Sequence, residues 1–193
     1  MLEIAGRRIG AGEPVFIAVE TGVTCNGSLE TALGVVDAAA DAGADAVKFM
    51  IIGADEFMSD RSVTYDYEWA GGRHSENMYA MFKSLEFSRV DWKRIRQHCQ
   101  DRGVIFHATV DYGAGVDLGE ELGAGAYKLS SWDSANLPLI KRIAHTGKPI
   151  QVDTGPITLG EIDKLLRFIR EHGDSDVLLV HCSHALTDDG INL

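Results

Sequence analysis

The chain has 193 residues, a formal net charge of −11, and 45% hydrophobic against 24% charged residues, a balance ordinary for a soluble globular protein. The acid excess argues against a broad nucleic-acid surface, which needs clustered cations, although a few inward lysines can still form a local anion pocket. Cys25, Cys99 and Cys182 show no metal or redox spacing and no long apolar stretch occurs, so reduced thiols, a cytoplasmic address and no membrane span are expected.

From Phe16 the sequence reads FIAVETGVTCNGSLETALGVVDAAADAGADAVKFM. A strand is expected over 15–20, ending in Glu20. Ser28 caps a helix whose Leu29, Ala32, Leu33, Val36 and Ala39/Ala40 share a face, and Gly43 stops it. A second strand over 45–51 delivers Lys48. Residues 52–87 are too long and too polar for a simple crossover, and read either as a lid at a catalytic rim or as a poorly ordered loop.

Ser88 opens the next helix, with Val90, Trp92 and Ile95 facing inward before Gly103. Short apolar runs over 104–109, 126–130, 149–153 and 177–182 predict four more strands, punctuated by Thr109, Lys128, Asp153 and His181. Asn136 precedes the helix LPLIKRIAH, in which Pro138 is tolerable only in the first turn. Thr158 and Glu161 form a capping box for a helix with Ile162, Leu165, Leu166 and Ile169 inward.

Strands alternating with helices indicate an α/β fold with a parallel sheet. Ionisable residues at strand ends suit a (β/α)8 TIM barrel, where those ends and the loops beyond them form the reaction site. Six strands fall two short of the closed ring of eight. The expectation is therefore one partial barrel domain over 1–193: a fragment, a barrel that a second chain completes, or an open sheet. Its outer strands would be unpaired edges that need covering.

Several segments resemble the sialic acid synthase (N-acetylneuraminate synthase) family. AVETGVTCNG and GADAVKFM stand where the family has A-E-I-G-x-N-H-N-G and G-A-D-A-V-K-F-Q. YAMFKSLEFS, KLSSWDSANLPLI, GKPIQVDTGPITLGEI and LLVHCSHALTDDGINL are similar, in order, to its later motifs. The resemblance spans nearly the whole chain and implies the N-terminal portion of a (β/α)8 barrel, without the rest of the barrel or the antifreeze-like domain that follows in complete members.

It also implies a chemistry: phosphoenolpyruvate condenses with the open-chain aldehyde of an N-acylmannosamine-type sugar, releasing phosphate and giving a nonulosonic acid. Partners would be these small molecules and a homo-oligomer or barrel-completing chain. A divalent metal, Mn2+ or Mg2+, would polarise the aldehyde oxygen, with ligands outside this chain. The resemblance makes Glu20, Lys48 and Lys128 catalytic and gives Thr109, Ser131, Asp133, Asp153 and His181 to substrate binding. Lysine ammoniums supply compact cations, hydroxyls supply donors, and Glu20 would face the sugar.

Each residue has a structural alternative. The lysines can be solvated strand ends, Thr109 and Ser131 can be caps, and His181 can be a core residue. Asp111, His107 and His184 fit no recognised ligand spacing and read as core or rim.

The chain also departs from the family pattern. Cys25 replaces a histidine, Met50 a glutamine, Trp132 a glycine that leaves substrate space, and Asp153 a phosphate-contacting serine. A carboxylate about 4 Å from a phosphate oxygen costs roughly 1 kcal/mol in water and ~4 kcal/mol at an effective dielectric of 20. Two alternatives therefore stand beside the synthase: a metal-dependent barrel enzyme using Asp153 with Glu20 or Asp133, and a non-catalytic or partner-dependent relative.

Overall fold

A computed structural model describes residues 2–69 and 71–182. In chain order these are β1 (Leu2–Ile4), β2 (Arg7–Ile9), β3 (Ala18–Gly22), α1 (Leu29–Asp41), β4 (Ala46–Ile51) and α2 (Ala54–Phe57). Next come β5 (Thr64–Trp69), β6 (Gly72–Asn77), α3 (Met78–Leu85), α4 (Arg89–Asp101), β7 (Ile105–Val110) and α5 (Gly113–Leu122). Last are β8 (Tyr127–Leu129), a 3-10 turn at Ser131–Asp133, α6 (Leu137–Ala144), β9 (Ile150–Asp153), α7 (Leu159–His172) and β10 (Val177–Val180). The elements fall into a central unit, Val15–Ala124, and a terminal unit, Met1–Pro14 with Gly125–Leu193.

In the central unit β4 lies between β3 and β7, and all three are parallel. Side chains alternate between the two faces of a strand. Val47, Phe49 and Ile51 of β4 therefore share one face, and all three are buried. There Phe49 stacks on Phe106 at 5.8 Å and meets the edge of Trp92 at 6.0 Å. Phe87 closes on the same Trp92 at 5.1 Å. Burying each such aliphatic or aromatic side chain contributes roughly 1.5–3 kcal/mol. The opposite face of β4 carries Lys48 and Met50.

Helices α1 and α4 begin at Ser28 and Ser88, whose hydroxyls accept from the backbone N–H of Thr31 and Asp91. Ala32, Val36 and Ala39 of α1 and Trp92, Ile95 and Cys99 of α4 are buried. Val90 is not on that inner face but 67% exposed. It lies two residues before Trp92, about 200° around a helix of 3.6 residues per turn. The first parallel strand also starts later than expected. Residues 15–17 precede it, with the Ile17 N–H bonded instead to the Asp45 carboxylate at 2.8 Å.

Residues 52–87 correct the loop expectation, because they fold as α2, an antiparallel β5–β6 hairpin and α3. Asp55 ties the segment together: its carboxylate accepts from Arg61 at 2.7 Å, Tyr79 at 2.8 Å and Lys83 at 2.8 Å. Glu86 caps the Ala54 N–H at 2.8 Å. Asp55 and Glu86 hold the Lys83 ammonium above its usual pKa range.

In the terminal unit β9 lies between β8 and β10, again all parallel, and β1 and β2 form a short hairpin. Asn136 caps α6 with Pro138 in its first turn, and both halves of the Thr158–Glu161 capping box are present on α7. Leu139, Ile140 and Ile143 of α6 and Leu165 and Ile169 of α7 are buried. Ile162 and Leu166 are half-buried. Among the described residues no helix is long and apolar enough to cross a membrane.

Candidate functional site

The central unit brings Glu20 and Lys48 together. They are register partners on β3 and β4, and Lys48 in turn partners His107 on β7. Partners at one level of a parallel sheet share a face, so three ionisable side chains form a row across three strands. Lys48 Nζ meets Glu20 Oε2 at 2.8 Å, with side-chain exposures of 9% and 46%. The other Glu20 oxygen accepts from the Gly22 N–H at 3.0 Å. The Thr21 hydroxyl bonds to the Lys48 carbonyl at 2.9 Å and fastens the end of β3 to β4.

One level further toward the C-terminal strand ends, Thr109 partners Met50 on the same face and is buried. His107 and Asp111 are buried on and just beyond β7, as the core reading expected. Behind Asp111, Tyr112 packs between Gly53 and Gly115, and a Cβ built on Gly53 would lie 2.5 Å from its ring. Burial, with Glu86, Glu56 and Asp111 nearby, pushes the Tyr112 phenol up to about 12, so it stays a neutral donor.

The terminal unit brings Lys128 and Asp153 together. Lys128 Nζ meets Asp153 Oδ2 at 2.6 Å, with side-chain exposures of 17% and 9%. The other Asp153 oxygen accepts from Gln151 Nε2 at 3.2 Å. Gln151 is the register partner of Lys128. Its signal in the sequence is its place two residues before Asp153 on one strand, which means the same face.

Ser131 opens the 3-10 turn, and Asp133 within it accepts from Asn136 Nδ2 at 3.0 Å. Trp132 is 76% exposed. His181 follows β10 and is exposed. His184 lies outside the described residues.

The Asp153 carboxylate is thus not a bare anion, since an ammonium stands against it. Among the described residues no group of three or more His, Cys, Asp or Glu side chains could hold a metal ion. The resemblance places the divalent ion's ligands outside this chain, and the alternative in which Asp153 ligates a metal gains no third donor among the described residues. All three cysteines are thiols, with Cys25 and Cys99 buried.

Comparison with known proteins adds to this geometry. A profile of the NeuB family matches residues 35–187. The spore coat polysaccharide biosynthesis protein SpsE of Bacillus subtilis is 31% identical over 181 residues, 93% of this chain and 48% of that protein. The N,N'-diacetyllegionaminic acid synthase of Campylobacter jejuni is 32% identical over 170 residues, 87% of this chain and 51% of that protein. The crystal structure of the N-acetylneuraminic acid synthetase of Leptospira borgpetersenii, in complex with citrate, matches with a TM-score of 0.80. That match has 26% identity and covers 95% of this chain and 59% of the other. The fold is therefore the α/β, (β/α)8 type, with six parallel strands present among the described residues. The chain spans about half the length of the curated relatives it matches.

Proposed function

This chain belongs to the NeuB family, and on that footing we propose that it carries part of a site joining phosphoenolpyruvate to a sugar aldehyde. The acceptor would be an N-acylmannosamine-type or other open-chain sugar, and the products a 2-keto-3-deoxy sugar acid and phosphate. The enol carbon bonds to the aldehyde carbon, water adds at the carbon bearing the phosphate ester, and the C–O bond to phosphate then breaks.

One observation carries this reading: the nearly buried Lys48 ammonium and the Glu20 carboxylate meet across two neighbouring strands within the family's motifs. A cation in low-dielectric surroundings stabilises a carboxylate or phosphate more strongly than it would in water. Glu20, half-exposed beside it, would accept from a sugar hydroxyl or move a proton there. Thr109 would donate its hydroxyl in the central unit; in the terminal unit Lys128, Ser131, Asp133, Asp153 and His181 would contact substrate. The divalent metal, Mn2+ or Mg2+, would draw its ligands from outside the described residues.

The test is aldehyde-dependent phosphate release from phosphoenolpyruvate in the presence of Mn2+ and N-acetylmannosamine. It is run on the chain alone and with a polypeptide supplying the rest of the relatives' length. Release with the complementing polypeptide, lost in Lys48→Met, is the expected result. No release in either arm, together with no calorimetric heat from phosphoenolpyruvate, would sink the reading.

A further inference from the structure

Lys48 and Lys128 are each met by a carboxylate on the neighbouring strand, but the two acids differ in exposure. Glu20 is 46% exposed, so water reaches its carboxylate even while it is bonded to Lys48 and to the Gly22 N–H. The Asp153 side chain is only 9% exposed; like those of Glu20, its two oxygens each have a donor, Lys128 at 2.6 Å and Gln151 at 3.2 Å, so exposure is what separates the two acids. Pulling Lys128 away would strand a desolvated carboxylate, a heavily penalised state.

An anionic ligand can therefore reach Lys48 by displacing an acid that water will accept. The same ligand at Lys128 meets a neutral pair whose acid has nowhere to go. We infer that Asp153 is a specificity-determining residue: it closes Lys128 to phosphate and carboxylate groups, and the pair takes an uncharged hydroxyl or carbonyl group of the ligand instead. This rests on the reading above only in placing the substrate beside Lys128. An approaching phosphate would lose one attraction and gain one repulsion, which at a few ångströms amounts to about tenfold or more in affinity.

The experiment uses inorganic phosphate as the probe and isothermal titration calorimetry on the unaltered chain, Asp153→Asn, Asp153→Ser and Asp153→Asn/Lys128→Met. Thermal melts confirm that each variant is folded. Either single variant should bind phosphate at least tenfold more tightly than the unaltered chain, and Lys128→Met should abolish that gain. Equal affinity, or a gain that survives Lys128→Met, overturns the inference.

A second measurement needs no variant. With 15N-labelled lysine, the Lys128 ammonium resonance of the unaltered chain should stay in place as millimolar phosphate is added, and a saturable shift would overturn the inference. No turnover is read in either experiment, so a failure of condensation activity bears on the proposed reaction and leaves this comparison intact.

Discussion

Glu20 and Lys48 face each other at the same level of two parallel strands, and their side chains meet at 2.8 Å with only the acid open to water. Removing either partner should have a different effect. Glu20→Gln leaves a nearly buried ammonium without its neighbouring carboxylate. Because the acid is half-exposed, solvent screens the pair, and the loss should be about 1 kcal/mol in urea denaturation. Lys48→Met removes the cation but keeps its volume, so stability should change less. Calorimetric binding of phosphoenolpyruvate should instead be lost. Unchanged phosphoenolpyruvate affinity in Lys48→Met would remove this lysine from the site.

Gly27 should tolerate no side chain. Its φ is +67°, in the left-handed region that favours glycine, and a Cβ there would lie 2.3 Å from the Ser84 carbonyl oxygen. Both the dihedral strain and the clash with backbone act against Gly27→Ala. A loss of about 2 kcal/mol or more is expected, since each kind of strain costs of order 1–3 kcal/mol. Hydrogen exchange should show α3, which carries Ser84, opening more readily than α4. Equal protection in both helices would mean that the contact does not hold the segment.

The aromatic cluster around Trp92 anchors the central unit. Phe49, Phe87 and Phe106 all lie within 6.1 Å of its ring centre. Trp92→Ala should therefore cost about 3–5 kcal/mol, the range for truncating a large buried aromatic side chain. Val90→Ala, two residues away and exposed, should change stability by no more than about 0.5 kcal/mol. Guanidinium or urea melts of the two variants decide this, and a similar small loss in both would contradict the packing.

The parallel strands were legible because each is a short apolar run with turn signals at its ends, and the caps at Ser28, Ser88, Asn136 and Thr158 were legible because their side chains act locally. Helix α5 was not, because Gly113, Gly115 and Gly119 weaken its local helix signal while tertiary packing buries Gly115, Val116, Gly119 and Leu122. The β5–β6 hairpin has a signal in Gly71 and Gly72, which follow a strand-length segment rich in Tyr and Trp. In the site, sequence indicated which polar residues lie on the parallel strands, although Glu20, Lys48, Thr109 and Lys128 sit within them and only Asp153 is a last residue. It could not show that Asp153 stands against Lys128, because that depends on register and on the side chain of Gln151, and neither is written in any local motif.

The buried thiol of Cys99 should make the chain sensitive to alkali. Burial raises its pKa from the ordinary 9.0 to about 12, because a thiolate loses its hydration inside α4's packed face. The folded state therefore binds this proton more tightly than the unfolded state. The associated stability is fully present below pH 9.0 and declines as pH rises toward about 12, where the folded thiol itself ionises. Urea midpoints taken from pH 8 to pH 11 should fall, and Cys99→Ala should flatten the part of that slope due to this group. Iodoacetamide should alkylate Cys99 slowly in the native chain and rapidly in urea. A slope unchanged by Cys99→Ala, with fast native alkylation, would show that the thiol is not shielded on α4.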